Sequence, residues 1–146
     1  MMIPHVVLTQ ADKVYVNILN NQTVALADGD IVVWNTSTPD GVRTTQAAAN
    51  TLNLVVGAAA GAIAASGYGL AQAYGYKSAV NVINGVTTIA AGDLLKPVAA
   101  KDYLTWDVTG GLTTVPTFAL SAPGVAYVTQ TTLSAATTSG VFLRCM

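Results

Sequence analysis

One short stretch of this chain constrains its fold more than any other. Between Tyr68 and Tyr76 every second residue is large (tyrosine, leucine or glutamine), and each residue between them is glycine or alanine. An alternation with a period of two places the large and small side chains on opposite faces of a β-strand, whereas a helix would mix them around its circumference. The stretch therefore predicts a strand.

The surrounding region also has to be considered as a membrane helix, because residues 44–76 contain no charged side chain. Residues 57–61 match the small-xxx-small pattern of paired transmembrane helices. However, residues 52–73 are built mainly from alanine and glycine, which insert weakly, and Asn53, Ser66 and Gln72 interrupt them. No cluster of lysine or arginine flanks the region. We predict no membrane partner.

The low charge of the chain bears on its partners. Of the 146 residues, 52% are hydrophobic and only 9% are charged, with a net charge of −1. Ordinary soluble domains carry about 25% charged residues, and a net charge near zero promotes association. The six basic residues are scattered, so no basic patch is available for nucleic acid. We expect a neutral surface that other protein subunits cover.

The rest of the chain is divided into short apolar runs by turn-forming residues. Asn20–Gln22, Asp28–Asp30 and Asn35–Gly41 are predicted turns or loops, and Asn84–Gly85 is a strong hairpin signal. Gln46–Leu52 is predicted to form a short helical turn. Glutamate is absent, and valine and threonine are abundant, which disfavours long helices. The fold class is predicted to be all-β, with at most one or two short helices. Further strands are predicted at Val14–Ile18, Ile31–Trp34, Leu54–Ala58, Ala79–Ile83, Leu94–Leu95, Tyr103–Val108, Gly124–Val128 and Gly140–Cys145.

The two halves of the sequence resemble each other. Gly29–Val32 (GDIV) parallels Gly92–Leu95 (GDLL), and similar short matches follow at spacings of about 63 to 71 residues. This suggests an internally duplicated β unit. We expect an N-terminal arm with the first strand at 1–22 and one β domain at 23–146, with half-repeats at 23–78 and 79–146.

The side chains available for chemistry are few. The chain has one histidine (His5), one cysteine (Cys145), seven aspartates and no glutamate. No nucleophile elbow accompanies the histidine, and one cysteine excludes an internal disulfide. Asp28 and Asp30 match a turn better than a calcium site, since the closing glutamate of such a site is missing. The chain is predicted to be non-enzymatic, with no catalytic, cofactor-binding or metal-binding residues.

Several of these segments together resemble a known class of protein. They are Val56–Ala58 followed by an alanine-rich connection, Gly67–Tyr76, Ala90–Leu95, Pro123–Ala126 and Val141–Arg144. Over roughly residues 24 to 146 the chain resembles capsid decoration (cement) proteins of tailed bacteriophages. The resemblance implies a small β-barrel or β-tulip-like sandwich, commonly trimeric, that binds the outer surface of the phage head and clamps neighbouring capsid subunits. The implied partners are the major capsid protein and further copies of this chain, without a cofactor, and the implied location is the outer capsid surface of the virion.

The first residues of the chain do not match that class, and neither does the polar loop at 35–41. We hypothesise that the N-terminal segment is an extended arm that adds a strand to a partner, because its apolar side chains would otherwise be exposed beside a proline. The predicted capsid or subunit interface residues are Ile3, Pro4, His5, Val6, Val7 and Leu8.

Two other functions remain open. The chain could be another virion component, such as a head fibre base or a tail protein, built from the same β-rich composition. It could also be a carbohydrate-binding β module, which would need an exposed aromatic platform such as Trp34 or Trp106. A small hydrolase is disfavoured because glutamate is absent and histidine occurs once.

Overall fold

The computed structural model describes residues 13–48, 54–83, 89–106, 126–128 and 137–145. These residues form nine β-strands and contain no helix, which confirms the all-β prediction. In the same residues no helix is long and apolar enough to cross a membrane. The strands are β1 Val14–Asn20, β2 Ile31–Trp34, β3 Arg43–Thr45, β4 Val55–Ala59, β5 Tyr68–Val82, β6 Leu94–Pro97, β7 Leu104–Trp106, β8 Ala126–Val128 and β9 Thr137–Arg144.

Strand β5 organises the whole sheet. The alternating segment Tyr68–Tyr76 is a strand, as predicted, and the strand predicted at Ala79–Ile83 is strand as far as Val82 but continues the first one instead of forming a second. Lys77 and Ser78 do not end the first strand, and β5 runs unbroken for 15 residues. Its first half pairs with β1 and its second half with β9, both antiparallel. One strand therefore belongs to both halves of the molecule.

The strand pairing closes two hydrogen-bonded rings that share β5. The first ring runs β1-β3-β2-β4-β5 and back to β1, and the second runs β5-β7-β6-β8-β9 and back to β5. Each ring contains one parallel pair, β1 with β3 in the first and β5 with β7 in the second, and its other pairs are antiparallel. The second ring thus repeats the pairing order of the first. The expected division at 1–22 and 23–146 stays a prediction.

The two Gly-Asp turns occupy matching places in the two rings, just before β2 and β6. In the first turn the backbone N–H of Ala27 donates to Oδ2 of Asp30 at 2.7 Å, and Gly29 has a φ of +88°. In the second the backbone N–H of Ala90 donates to Oδ2 of Asp93 at 2.8 Å, and Gly92 has a φ of +93°. The turn predicted at Asp28–Asp30 is confirmed, and the parallel segment before β6 forms the same kind of turn; in both, the aspartate side chain accepts from the backbone.

The apolar side chains form two buried clusters. Alternation along β2 directs Val32 into the first cluster and its neighbours Ile31 and Val33 into the second, so β2 is buried on both faces. The first cluster fills the first ring and comprises Ile18, Leu26, Val32, Val56, Ala59, Ile63 and Ala71. The second joins the two rings through Ile31, Val33, Ala47, Val55, Ala58, Val80, Val82, Ile89, Leu95, Leu104, Val141 and Leu143.

The first turn also connects the two rings through polar contacts. Nζ of Lys77 lies 2.6 Å from Oδ1 of Asp28, and the Asn81 side-chain amide donates to Oδ1 of Asp30 at 2.6 Å. The backbone N–H of Asn81 donates to the carbonyl oxygen of Gly29 at 3.2 Å. The turn is therefore held against the second half of β5.

The predicted short helical turn is wrong over its described part, and the predicted hairpin cannot be compared with the structure. Residues 46–48, the described part of the predicted helical turn Gln46–Leu52, are not helical. Ala47 is buried there in the second cluster, so packing rather than helix propensity determines its conformation. The hairpin predicted at Asn84–Gly85 lies outside the described residues.

Candidate functional site

An exposed face on strands β1 and β5 is the most distinctive surface feature. Leu19 lies opposite Tyr68 and Asn17 lies opposite Leu70 in the antiparallel register, so their side chains point to one side of the ribbon, together with Tyr15. Val16 and Ile18, which alternate with them, pack in or against the cluster inside the first ring. We call the outward-facing set Tyr15, Asn17, Leu19, Tyr68 and Leu70 the β1–β5 face.

Large apolar side chains are unusually open to solvent on this face. Tyr68 is 74% exposed, and Tyr15 and Leu70 are each 47% exposed. Taking about 200 Å² for a full tyrosine side chain, these three residues present roughly 300 Å² to solvent. Contiguous apolar patches of a few hundred Å² on a small protein mark interaction sites. The β1–β5 face therefore suits contact with another protein.

A bulge bounds the face at its other end. The register between β1 and β5 shifts between Val14 and Tyr15, and Tyr15 lies opposite Gln72. Gln72 is only 2% exposed, and its buried side-chain amide is satisfied by bonds to its own strand. Its Nε2 donates to the carbonyl oxygens of Tyr74 at 3.2 Å and Tyr76 at 3.1 Å. The bulge and these bonds mark where β5 leaves β1 and begins to pair with β9.

A second aromatic group follows on the part of β5 that pairs with β9. The rings of Tyr74 and Phe142 meet edge to face, with centroids 5.2 Å apart and planes at 85°. Tyr76 lies opposite Phe142 in the register and is 39% exposed. This contact orients the two rings, so less conformational freedom would be lost if a partner covered them.

The described residues offer little for catalysis or metal binding. They contain no group of three or more histidine, cysteine, aspartate or glutamate side chains that could hold a metal ion. Asp28 and Asp30, the acids considered as a calcium site, instead accept bonds within the first Gly-Asp turn and from Lys77 and Asn81 of β5. Burial raises the pKa of Asp30, with smaller contributions from the negative charges of Asp102 and Asp28.

The single cysteine is also unsuited to chemistry. Burial raises the pKa of the Cys145 thiol to about 12, so the reactive thiolate is scarce at neutral pH. Cys145 packs against the second apolar cluster. It lies one residue beyond β9, which ends at Arg144 rather than at Cys145 as predicted.

The predicted interface segment Ile3, Pro4, His5, Val6, Val7 and Leu8 lies outside the described residues. Sequence reasoning did not single out the β1–β5 face. The alternation at Tyr68–Tyr76 carried part of the signal, since it places Tyr68 and Leu70 on one side of a strand. It could not say which side faces water, because that depends on ring closure through β1 and β3.

The architecture can be compared with that of known proteins. The chain is similar to the head fiber gp8.5 N base of bacteriophage phi29, with a TM-score of 0.50 over 91% of this chain and 95% of that chain. The two chains share a fold. Their sequences are 15% identical, so the likeness concerns the fold alone. No protein-family model and no curated protein sequence matches the chain.

Proposed function

We propose that this chain is a non-enzymatic structural protein of a phage virion. It binds the outer surface of the capsid and stabilises the shell by contacting neighbouring subunits of the major capsid protein. The observation that carries the proposal is the exposed, uncharged β1–β5 face on a fold shared with a phage head-fibre base. The resemblance of the sequence to capsid decoration proteins supports the same assignment.

The physical basis of binding is burial of that face against a capsid subunit. Covering roughly 300 Å² of apolar surface at about 25 cal/mol per Å² gives a gross gain of roughly 7 kcal/mol. The costs of association reduce that gain, and a standard interface buries about 800 Å² on each partner. The β1–β5 face would then be the centre of a larger contact, where hot-spot residues are usually found.

Low charge favours this arrangement. None of the five side chains of the β1–β5 face is charged, so docking it against a partner leaves no charge of the face unpaired and desolvated. We further propose that the protein is a homotrimer. A trimer would hold several capsid subunits at once and increase the strength of attachment by multivalency.

The N-terminal segment has a separate role in the proposal. Residues 3–8 would extend from β1 and add a strand to a capsid subunit. Deleting residues 1–9 should then weaken attachment to heads while the folded oligomer remains.

A second candidate is a head-fibre base, which the shared fold specifically favours. Both functions require attachment to the outside of a head, and they differ in the effect of attachment. A decoration protein raises the resistance of heads to heat and low ionic strength, whereas a fibre base attaches without that effect and carries a further fibre.

The first experiment is cosedimentation of the purified chain with heads of the cognate phage that lack it. Tyr68→Ser combined with Leu70→Ser should weaken binding about 30-fold or more, because each of these partly exposed side chains contributes about 1 kcal/mol or more at the centre of a contact. Leu94→Ser is the matched control. Leu94 is 37% exposed on β6, which pairs with neither β1 nor β5.

The outcomes separate the possible functions. The β1–β5 face is supported if the double substitution weakens binding and Leu94→Ser does not. Native mass spectrometry of the unaltered chain should find a trimer. Heads that become more heat-resistant on binding indicate decoration, and heads that bind without that gain indicate a fibre base. Failure of the unaltered chain to bind heads would rule out both.

A further inference from the structure

Strand β1 and the second half of β5 share a short sequence as well as an equivalent place in their rings. Residues 13–20 read KVYVNILN and residues 77–84 read KSAVNVIN. The register also shifts at corresponding points, at Val14–Tyr15 in β1 and within Lys77–Val80 in β5. The equivalence of the two rings therefore extends to individual residues of these strands.

In β5 the shared residues hold the first Gly-Asp turn. Nζ of Lys77 contacts Asp28, and the Asn81 side-chain amide donates to Asp30. The backbone N–H of Asn81 also donates to the carbonyl oxygen of Gly29. Gly29 and Asp30 are both buried in this contact. The first turn thus covers part of the β5 edge.

The corresponding edge of β1 is open in the described part of the chain. Lys13 and Asn17 occupy the places of Lys77 and Asn81 in the shared sequence, and both are exposed. The backbone N–H of Leu19 donates across this edge toward β3, so that of Asn17, two residues earlier, points the same way. Among the described residues it has no acceptor. An open strand edge is a template for pairing with another chain.

The second Gly-Asp turn has the groups that this edge needs. Gly92 is exposed, and no described residue donates to its carbonyl oxygen. Oδ2 of Asp93 accepts within its own turn, as Oδ2 of Asp30 does in the first turn. Oδ1 of Asp93 is then left for a donor from outside, which is the role that Oδ1 of Asp30 has toward Asn81.

We propose that the second Gly-Asp turn of one copy docks on the β1 edge of a second copy, as the first turn docks on β5 within the chain. The Asn17 amide donates to Asp93, and the backbone N–H of Asn17 donates to the carbonyl oxygen of Gly92. The inference rests on the proposed homotrimer and names the contact that builds it. The turn and the edge lie in different rings, so the contact is head-to-tail, and such contacts form closed oligomers when the rotation closes.

The contact between copies differs from the internal one at one position. Ala91 occupies the place of Asp28, so Lys13 meets no carboxylate there. The contact is therefore weaker than the internal one, and the second turn is open in the separate chain. Because the turn approaches along the strand edge, Tyr68 and Leu70 remain available to a capsid subunit.

Sedimentation velocity of the full chain over a range of concentrations measures the association. Ala91→Asp supplies the missing carboxylate and should tighten each contact about threefold or more, and adding Lys13→Met should remove that gain. Asn17→Ala removes the donor to Asp93 and should weaken each contact about tenfold. Asn21→Ala, the same substitution at an exposed residue just beyond β1, is the matched control and should change nothing.

A second comparison separates association from folding. Asn81→Ala breaks the internal contact and should lower the urea midpoint of the dilute chain, whereas Asn17→Ala should leave that midpoint unchanged. An oligomer whose association responds to neither Asn17→Ala nor Ala91→Asp overturns this contact and leaves the homotrimer standing. A chain that stays monomeric at every concentration overturns both. Cosedimentation with heads is measured separately, so a failure of the contact is distinguished from a failure of capsid attachment.

Discussion

The packing of the first Gly-Asp turn against β5 can be tested by comparing two glycines in matching turns. Gly29 and Gly92 have nearly equal φ angles, +88° and +93°. A Cβ at Gly29 would lie 2.6 Å from the carbonyl oxygen of Ala79 on β5, whereas a Cβ at Gly92 would meet nothing within 4 Å. Substitution by alanine therefore adds the same backbone strain at both positions and a steric clash at only one.

The magnitudes follow from these two contributions. Alanine in the left-handed region costs about 1 to 2 kcal/mol, and Gly92→Ala should lose about that much free energy of unfolding. Gly29→Ala should lose the same amount plus about 1 to 3 kcal/mol, because the clash involves rigid backbone of β5. The backbone bonds of Gly29 to Ala59 and Asn81 would also be stretched if the turn moved away.

Urea unfolding followed by tryptophan fluorescence measures the difference. With equal slopes of free energy against urea, Gly29→Ala should unfold at a clearly lower midpoint than Gly92→Ala. Losses equal within about 0.5 kcal/mol would refute the docking of the turn on β5. A greater loss in Gly92→Ala would contradict it more strongly.

Three further predictions concern buried or partly buried polar groups. Because burial raises the pKa of Asp30 above its ordinary value of 3.8, the folded state holds this proton more tightly than the unfolded state. The resulting stability is full below that value and is lost as the pH rises through the folded pKa. The unfolding free energy of the unaltered chain minus that of Asp30→Asn should therefore fall with rising pH above about 4. Urea unfolding at several pH values measures this difference, and a flat or rising difference would contradict the raised pKa of Asp30. The Lys77 side chain is 10% exposed, and that of its partner Asp28 is 52% exposed. Asp28→Asn leaves the buried ammonium of Lys77 without its partner and should lower the free energy of unfolding by about 1 to 2 kcal/mol, a value reduced for the exposure of Asp28. Lys77→Met should lower the free energy of unfolding by less than Asp28→Asn does. A larger loss in Lys77→Met, measured by chemical denaturation, would contradict the assignment of Lys77 as the buried partner. Cys145, whose pKa is raised to about 12, should resist Ellman's reagent at pH 8 in the folded chain and react promptly in urea; prompt reaction without urea would show that the thiol is accessible.

Local patterns in the sequence predicted much of the strand content. The alternation at Tyr68–Tyr76 and the apolar run Ile31–Trp34 both form strands, because side-chain periodicity and burial act over a few residues. The two Gly-Asp turns formed for the same reason, since their aspartates bond backbone groups three residues away. These features depend little on the rest of the molecule.

Ring closure and its consequences could not be predicted in that way. Strand β3 has only three residues, and its place between β1 and β2 depends on the parallel pairing of Leu19 with Arg43. Lys77 lies within β5, where it pairs in the sheet with Val141 and its side chain contacts Asp28, 49 residues away along the chain. The exposure of Tyr68 follows from the pairing of β5 with β1 and from ring closure, and a local pattern carries no information about either.

The most direct test of the central proposal is a cryo-electron microscopy difference map of cognate phage heads with and without this chain. We expect added density on the outer surface of the shell, with the side chains of Tyr68 and Leu70 buried against a capsid subunit. Added density in which the β1–β5 face points to solvent, or no added density on the head, would contradict the proposed contact.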